Sequence, residues 1–165
     1  MTIPSPARYG LFLALLVVAL DQATKFWIVD GVMVPPRAIE VTSFFNIVMV
    51  WNRGISFGLF NNGSPLNALI LPALALAIVA GLLFWLWRAE GRLTPIALGS
   101  IIGGALGNVI DRLRYDGAVA DFQDFHVAGY HWPAFNVADA AISVGAVLFI
   151  AESLFSGAEK HKNKA

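Results

Sequence analysis

Four long apolar stretches, separated by more polar segments, dominate the pattern of this 165-residue chain. They lie at about 9–29, 66–87, 93–110 and 137–155, and each can cross roughly 30 Å of hydrocarbon at about 1.5 Å per residue. Only a helix satisfies its own backbone hydrogen bonds in such a layer. The pattern therefore predicts an all-α membrane protein, a four-helix transmembrane bundle that forms a single domain over residues 1–165.

Two segments between the predicted helices are too long to be simple turns. The first includes a run from Ile39 to Phe60 that is rich in Val, Ile and Phe and is broken at Asn52-Arg53-Gly54, as short paired strands would be. The second has a turn signal at Asp116-Gly117, followed by aromatic and acidic residues. We expect a small extracytoplasmic β subdomain from the first segment and an interfacial loop or helix from the second.

Short basic flanks indicate the orientation of the helices. Arg8 precedes the first helix, Arg88 and Arg92 lie in the tight link between the second and third, and Lys160, Lys162 and Lys164 follow the fourth. Because short loops rich in Lys and Arg stay in the cytoplasm, both termini are expected there. The two longer segments, and any site that they cover, are then extracytoplasmic.

The composition narrows the class of function. Hydrophobic residues make up 58% of the chain and charged residues 13%, which is more apolar than a soluble domain of this size requires. Eleven basic and eleven acidic residues cancel without forming a block of one sign, so nucleic acid is not expected as a partner. The absence of cysteine excludes disulfides and thiol catalysis.

Several ionisable residues occur where the helices meet the extracytoplasmic side. Such groups cost several kcal/mol in an apolar layer unless they are paired or wet, so they indicate function by default. Asp21 and Lys25 are spaced to pair on one helix face, and we interpret them as structural. Arg112 is expected to be an ion-pair partner next to Asp111, which we also interpret as structural. Gly99, Gly103 and Gly107 predict close helix packing rather than a phosphate loop.

The possible chemistry is reached by elimination. No serine lies in a G-x-S-x-G turn, so a serine mechanism has no support. His126 and His131 could join acidic residues as metal ligands, but no spacing typical of a metal site is present, and we expect neither metal nor cofactor. A carboxylate pair that shares one proton remains, able to activate water and protonate a leaving nitrogen. The residues nominate Asp139 plus one of three candidates, Asp111, Asp121 and Asp124.

Five sequence blocks follow one another along nearly the whole chain. They are Asp21-Gln22-Ala23-Thr24-Lys25, Asn52-Arg53-Gly54-Ile55-Ser56-Phe57, GGALGNVIDR at 103–112, VADF at 119–122 and FNVAD at 135–139. In this order they resemble the blocks of the bacterial lipoprotein signal peptidases, the signal peptidase II family.

The resemblance implies an intramembrane aspartyl endopeptidase of the bacterial plasma membrane, which is the inner membrane in a Gram-negative cell. Such an enzyme cuts prolipoproteins just before the diacylglyceryl-modified cysteine. Its partners would be those substrates and membrane lipid, and we expect a monomer.

The resemblance assigns roles to individual positions. The catalytic pair falls on Asp121 and Asp139, and Asp124 is the only rival for the second position. Ile55-Ser56 and Ala120 differ from the residues that are usual in the family, which affects only details of substrate contact. Positions that line the site and support the pair fall on Asn52, Asn108, Arg112 and Asn136.

Two other classes of function compete with a peptidase. A small proton-coupled membrane transporter would also use intramembrane acidic and basic residues, but the sequence shows no inverted repeat from which alternating access could be built. A noncatalytic scaffold would use polar residues only to hold helices together. Neither alternative accounts for the five ordered blocks.

Overall fold

The computed structural model describes residues 5–54 and 66–162, and these include four helices long and apolar enough to span a membrane. The four predicted spans are thereby confirmed, and the first helix continues into a π-helical turn over Ile28–Val32. Ile55 to Phe57 of the second sequence block, the end of the predicted strand run at Phe60, and Lys164 lie outside the described residues. The helices are α1 (Ser5–Trp27), α2 (Asn67–Arg88), α3 (Leu93–Arg114) and α4 (Val137–Lys162).

Helix α3 is the centre of the bundle and packs against all three other helices. It is also the most buried of the four spans. The glycine stripe makes this possible, because a methyl group added at Gly103 would lie 2.6 Å from the Ala14 carbonyl oxygen of α1. At Gly107 the added methyl group would lie 2.5 Å from Asp21 Oδ2. The stripe therefore brings α1 close and also leaves room for a buried carboxylate.

A four-stranded antiparallel sheet covers one end of the bundle, with strand order β1-β2-β3-β4. The first inter-helical segment supplies β1 (Ile39–Thr42) and β2 (Phe45–Asn52), as predicted. The second supplies β3 (Val119–Val127) and β4 (Tyr130–His131), so the expected interfacial loop or helix is wrong. Its mixed aromatic and acidic sequence does not alternate as a half-buried strand would, and its pairing partner β2 is distant in the sequence.

The opposite end of the bundle carries the basic link between α2 and α3. A methyl group added at Gly10, near the start of α1, would lie 2.6 Å from both Leu86 Cδ1 and Pro95 O. Halfway along α4, the ring of Phe149 meets that of Trp85 of α2 with centroids 4.9 Å apart. The start of α1 and the part of α4 that follows Phe149 therefore lie toward this end of the bundle, away from the sheet.

Candidate active site

Two carboxylates from different elements meet in one cavity at the sheet end of the bundle. Asp121 is the third residue of β3, and Asp139 lies in the first turn of α4. The N–H groups of Phe122 and Gln123 both donate to the carbonyl oxygen of Phe135, which holds the start of α4 against β3. Asp121 and Asp139 line the same cavity of about 690 Å³. The structure thus brings together the two aspartates that the resemblance assigns as the catalytic pair.

Neutral amide groups hold both carboxylates. Asn52 Nδ2 donates to Asp121 Oδ2 at 3.1 Å, and Asn136 Nδ2 donates to Asp121 Oδ1 at 2.7 Å. Asp139 Oδ1 accepts from Asn108 Nδ2 at 2.8 Å, and its Oδ2 accepts from the Asn136 backbone N–H at 3.3 Å. Three of the four predicted supporting residues therefore contact the pair directly, and each donates without adding charge.

The environment of Asp121 favours its protonated form. Burial raises its pKa, and the nearby charge of Asp139 raises it further, to about 7. Hydrogen bonds from Asn52 and Asn136 oppose this shift because they stabilise the ionised carboxylate. The pair consequently retains a proton up to neutral pH, as an acid and base working together require.

Arg112 lines the cavity, but it is not paired with Asp111 as expected. Its Nη1 donates to Gly117 O at 2.8 Å and its Nη2 donates to Gly54 O at 2.5 Å, while Asp111 binds Lys25. Adjacent residues on a helix point in different directions, so Arg112 and Asp111 reach different partners. The guanidinium does hold two oxygens, but these are backbone carbonyls that tie the ends of two inter-helical segments to α3.

Asp21, Lys25 and Asp111 form an ionic cluster beneath the pair, and each is at most 1% exposed. Lys25 Nζ lies 2.8 Å from Asp21 Oδ2 and 2.9 Å from Asp111 Oδ2. The predicted Asp21–Lys25 pair is thus confirmed. Gln22, to which the sequence assigned no role, donates to the carboxylates of Asp21 and Asp111 and to Gly107 O.

The ionic cluster also holds the backbone beside each aspartate of the pair. Asp111 Oδ2 accepts from the N–H of Ala120, the residue before Asp121, at 3.0 Å. Asp21 Oδ1 accepts from the N–H of Ala138, the residue before Asp139, at 2.9 Å. The cluster therefore fixes the start of β3 and the start of α4 relative to α1 and α3.

Asp124, the rival for the second catalytic position, has different surroundings. It binds His131 Nδ1 at 2.8 Å and Asn46 Nδ2 at 3.0 Å, and it is not among the described residues that line the cavity. Burial would raise its pKa, but the hydrogen bonds from His131 and Asn46 outweigh this and lower it. His126 stacks on His131 with ring centroids 4.8 Å apart. Within the described part of the chain, no group of three or more acidic or histidine side chains could hold a metal ion.

Much of the cavity wall is apolar and was not predicted. Helices α2 and α4 contribute a face that includes Leu74, Ile78 and Val144, and Ser143 also lies in this wall. The segment between β4 and α4 closes one side through residues 132–135. Such residues carry no sequence signal of their own, because their role depends on how α2 and α4 are placed around α3.

Comparison with known proteins gives a consistent picture. Residues 13–155 match a family model described as signal peptidase (SPase) II. The lipoprotein signal peptidase of Rhodopseudomonas palustris (strain TIE-1) is 45% identical over 91% of this chain and 94% of its own length. That of Methylorubrum extorquens (strain PA1) is 48% identical over 89% and 86%, respectively. A solved bacterial membrane enzyme at 2.3 Å resolution superposes with a TM-score of 0.81 at 29% identity, covering 92% of this chain and 91% of that structure.

Proposed function

Because the chain belongs to the signal peptidase II family, whose members remove signal peptides from prolipoproteins, we propose that it is an aspartyl endopeptidase that cuts before the diacylglyceryl-modified cysteine. Asp121 and Asp139 are the catalytic residues in this proposal. The single observation that carries it is the meeting of these two carboxylates, each held by neutral amide donors, in one cavity. Family membership favours this function over proton-coupled transport.

The proposed reaction needs only the carboxylate pair and water. The ionised carboxylate takes a proton from water, whose oxygen attacks the scissile carbonyl carbon. The protonated carboxyl group then gives its proton to the departing nitrogen as the carbon–nitrogen bond breaks. The raised pKa of Asp121 supports this division, since the pair then holds one proton at neutral pH. Arg112 interacts electrostatically with both carboxylates, which limits the cost of their shared negative charge.

The shape of the cavity supports a lipid-modified substrate. Its apolar face is formed by helices that border the bilayer, including Leu71 and Leu74 of α2 and Val144 of α4, while the polar groups gather around Asp121 and Asp139. In the proposed complex the acyl chains stay on the apolar side and the scissile bond reaches the carboxylates. Anchoring in the membrane then confines the search for substrate to two dimensions and orients the bond, which is the positional part of catalysis.

Cleavage of a diacylglyceryl-modified prolipoprotein by the detergent-purified protein tests the function. Wild type should cleave before the lipidated cysteine equally well with and without a chelator. Asp121→Asn and Asp139→Asn should each lose at least about 1,000-fold in kcat, by analogy with removal of other catalytic groups. Asp124→Asn is the matched control on the same strand and should keep near wild-type turnover. Near-normal cleavage by Asp121→Asn or Asp139→Asn, or a loss of cleavage confined to Asp124→Asn, would overturn the assignment of the catalytic pair.

We also propose that the sheet and the carboxylate pair are extracytoplasmic and that both termini are cytoplasmic. The basic residues Arg88 and Arg92 near the α2–α3 link support this, because short basic links stay inside. The natural chain has no cysteine, so single cysteines report on each side. Tyr130→Cys, 69% exposed in the sheet, should react with a membrane-impermeant maleimide in intact cells. Exposed Glu90→Cys should react only after permeabilisation, and the reverse result would invert the topology.

A further inference from the structure

Lys25 has a third hydrogen bond that helix packing does not explain. Its ammonium group is buried and already contacts two carboxylates, those of Asp21 and Asp111. The remaining N–H donates to Asn108 Oδ1 at 3.1 Å. Asn108 lines the cavity and donates to Asp139. The charge of Lys25, which does not line the cavity, is therefore connected to Asp139 through a single side chain.

The chemistry of an ammonium group gives this contact a direction. Lysine can only donate hydrogen bonds, so the oxygen of the Asn108 amide must face Lys25 and the NH₂ group must face Asp139. Without that donor, the amide could rotate and present its oxygen to Asp139, which favours a protonated carboxyl group instead of an ionised one. Lys25 therefore selects which end of the Asn108 amide meets the catalytic pair.

The same arrangement extends to the second carboxylate. Asn108 Oδ1 also accepts from Asn136 Nδ2 at 3.2 Å, and that nitrogen donates to Asp121 Oδ1 at 2.7 Å. A reversed Asn108 amide would place its NH₂ group against this donor. The orientation set by Lys25 is thus transmitted to both Asp139 and Asp121.

We propose that Lys25 is a positioning residue for catalysis, acting through the Asn108 amide to keep N–H donors directed at both carboxylates. The inference rests on the proposed function, because it assigns a role relative to the Asp121–Asp139 pair. Its consequence is that Lys25 influences the protonation of the pair without touching it. The positive charge of Lys25 also lowers the pKa of Asp121 directly. A variant that tests the role of the Asn108 amide must therefore keep the net charge of the ionic cluster unchanged.

Testing this needs a variant that removes the donor without leaving unbalanced buried charge. Lys25→Met with Asp21→Asn keeps the net charge of the ionic cluster, since one positive and one negative group are lost together. Asp21→Asn alone is the matched control, because it keeps the Lys25–Asn108 hydrogen bond and leaves an amide oxygen for the Ala138 N–H. Rates are expressed per folded molecule, with the folded fraction taken from thermal unfolding in detergent.

The double variant should lose about 10- to 100-fold in kcat relative to Asp21→Asn. This range is taken by analogy from the loss seen when the hydrogen-bond partner that orients a metal ligand is removed. KM for the lipidated substrate should change by less than about 2-fold, because Lys25 lies outside the cavity lining. Both limbs of the kcat–pH profile should move to higher pH than in wild type, whose ionic cluster has the same net charge, since the carboxylates lose correctly oriented donors. A kcat equal to that of Asp21→Asn, or limbs that stay at their wild-type positions, would overturn the proposal.

Lys25→Arg is measured in parallel and decides the question if the double variant does not fold. Arginine keeps the charge and is also a donor-only group, so the limbs of the pH profile should stay at their wild-type positions. Limbs displaced upward in a folded Lys25→Arg protein would count against the proposal. If Asp121→Asn and Asp139→Asn remained active, the proposed function would fail. If they were inactive while the double variant kept the kcat of Asp21→Asn, or kept the wild-type pH profile, only the positioning role would fail.

Discussion

Two pairs of aspartates lie in adjacent layers at the sheet end of this bundle, and the groups that hold them differ in charge. In the ionic cluster, Asp21 and Asp111 share a lysine cation in a dry environment. In the candidate catalytic pair, Asp121 and Asp139 have neutral amide donors and open onto a cavity. The ammonium group holds Asp21 and Asp111 by ion pairs, whereas amide donors hold the carboxylates of the catalytic pair without adding a charge. The same side chain is therefore structural in one layer and suited to proton transfer in the next.

Removing a carboxylate from the ionic cluster should have the largest effect on stability. Asp111→Ala leaves Lys25 with less compensation and leaves the Ala120 N–H without its acceptor, so we expect a loss of about 3–5 kcal/mol. Thermal unfolding in detergent measures it. Asp139→Asn is the control from the catalytic pair and should change stability by less than about 1 kcal/mol. Equal stability of the two variants would show that the ionic cluster contributes no more to folding than the catalytic pair does.

Asp121→Asn should have a smaller effect of opposite sign. Because the folded protein raises the pKa of Asp121 from 3.8 to about 7, ionising it costs folding free energy that grows as pH rises between those values. An uncharged side chain avoids that cost. Part of the gain is lost where an amide NH₂ group replaces an acceptor oxygen, so we expect about 1–2 kcal/mol of added stability above pH 7.

The stability gain of Asp121→Asn should shrink as pH falls from 7 toward 3.8 and disappear below that value, where wild-type Asp121 is protonated in both the folded and the unfolded states. Unfolding temperatures of the variant and wild type at pH 8 and at pH 4.5 give the comparison. A variant that is less stable than wild type at pH 8 would show that folding favours the ionised form of Asp121.

Asn52→Ala should shift catalysis without large effects on folding. Asn52 donates to Asp121 Oδ2, so its removal raises the pKa of Asp121 further. The basic limb of the kcat–pH profile, where the pair loses its shared proton, should move up by about 0.5–1 pH unit. Asn46→Ala is the matched control, since Asn46 lies on the same strand and donates to Asp124 instead. A shift of the basic limb in Asn46→Ala alone would indicate that Asp124, and not Asp121, shares the proton with Asp139.

An exposed ion pair should give the smallest effect. Arg114 and Asp30 are 3.2 Å apart, but their side chains are 46% and 43% exposed. Water and salt screen such a pair, so Asp30→Asn should change stability by less than about 0.5 kcal/mol. The unfolding temperature at low and high salt provides the measurement. A loss near that of Asp111→Ala would show that burial is not what separates the two kinds of ion pair.

The helices could be predicted because their signal is local. An apolar run of sufficient length defines a span, and all four spans lie where the pattern indicated. Strand β3 was missed because its pairing with β2 joins segments that are separated by two helices. A register such as Val50 opposite Asp121 depends on the arrangement of the bundle and leaves little trace in either segment alone.

The candidate site was predictable in its residue types but not in its pairing. Elimination left Asp111, Asp121 and Asp124 as possible partners of Asp139, and only the resemblance singled out Asp121. The structure gives physical grounds for the same choice, because Asp111 binds Lys25 and Asp124 binds His131. The Arg112–Asp111 pair was predicted because the two residues are adjacent in the sequence. Adjacent side chains on a helix point in different directions, so the pair does not form.

The assembly of the sheet from two distant segments also bears on synthesis. Asp121 receives a hydrogen bond from Asn52, 69 residues earlier, and Asp139 lies in α4. Chains are made from the N-terminus, so the two carboxylates cannot come together until α4 has been made and has packed against α3. A nascent chain that has not yet reached α4 therefore carries only half of the pair.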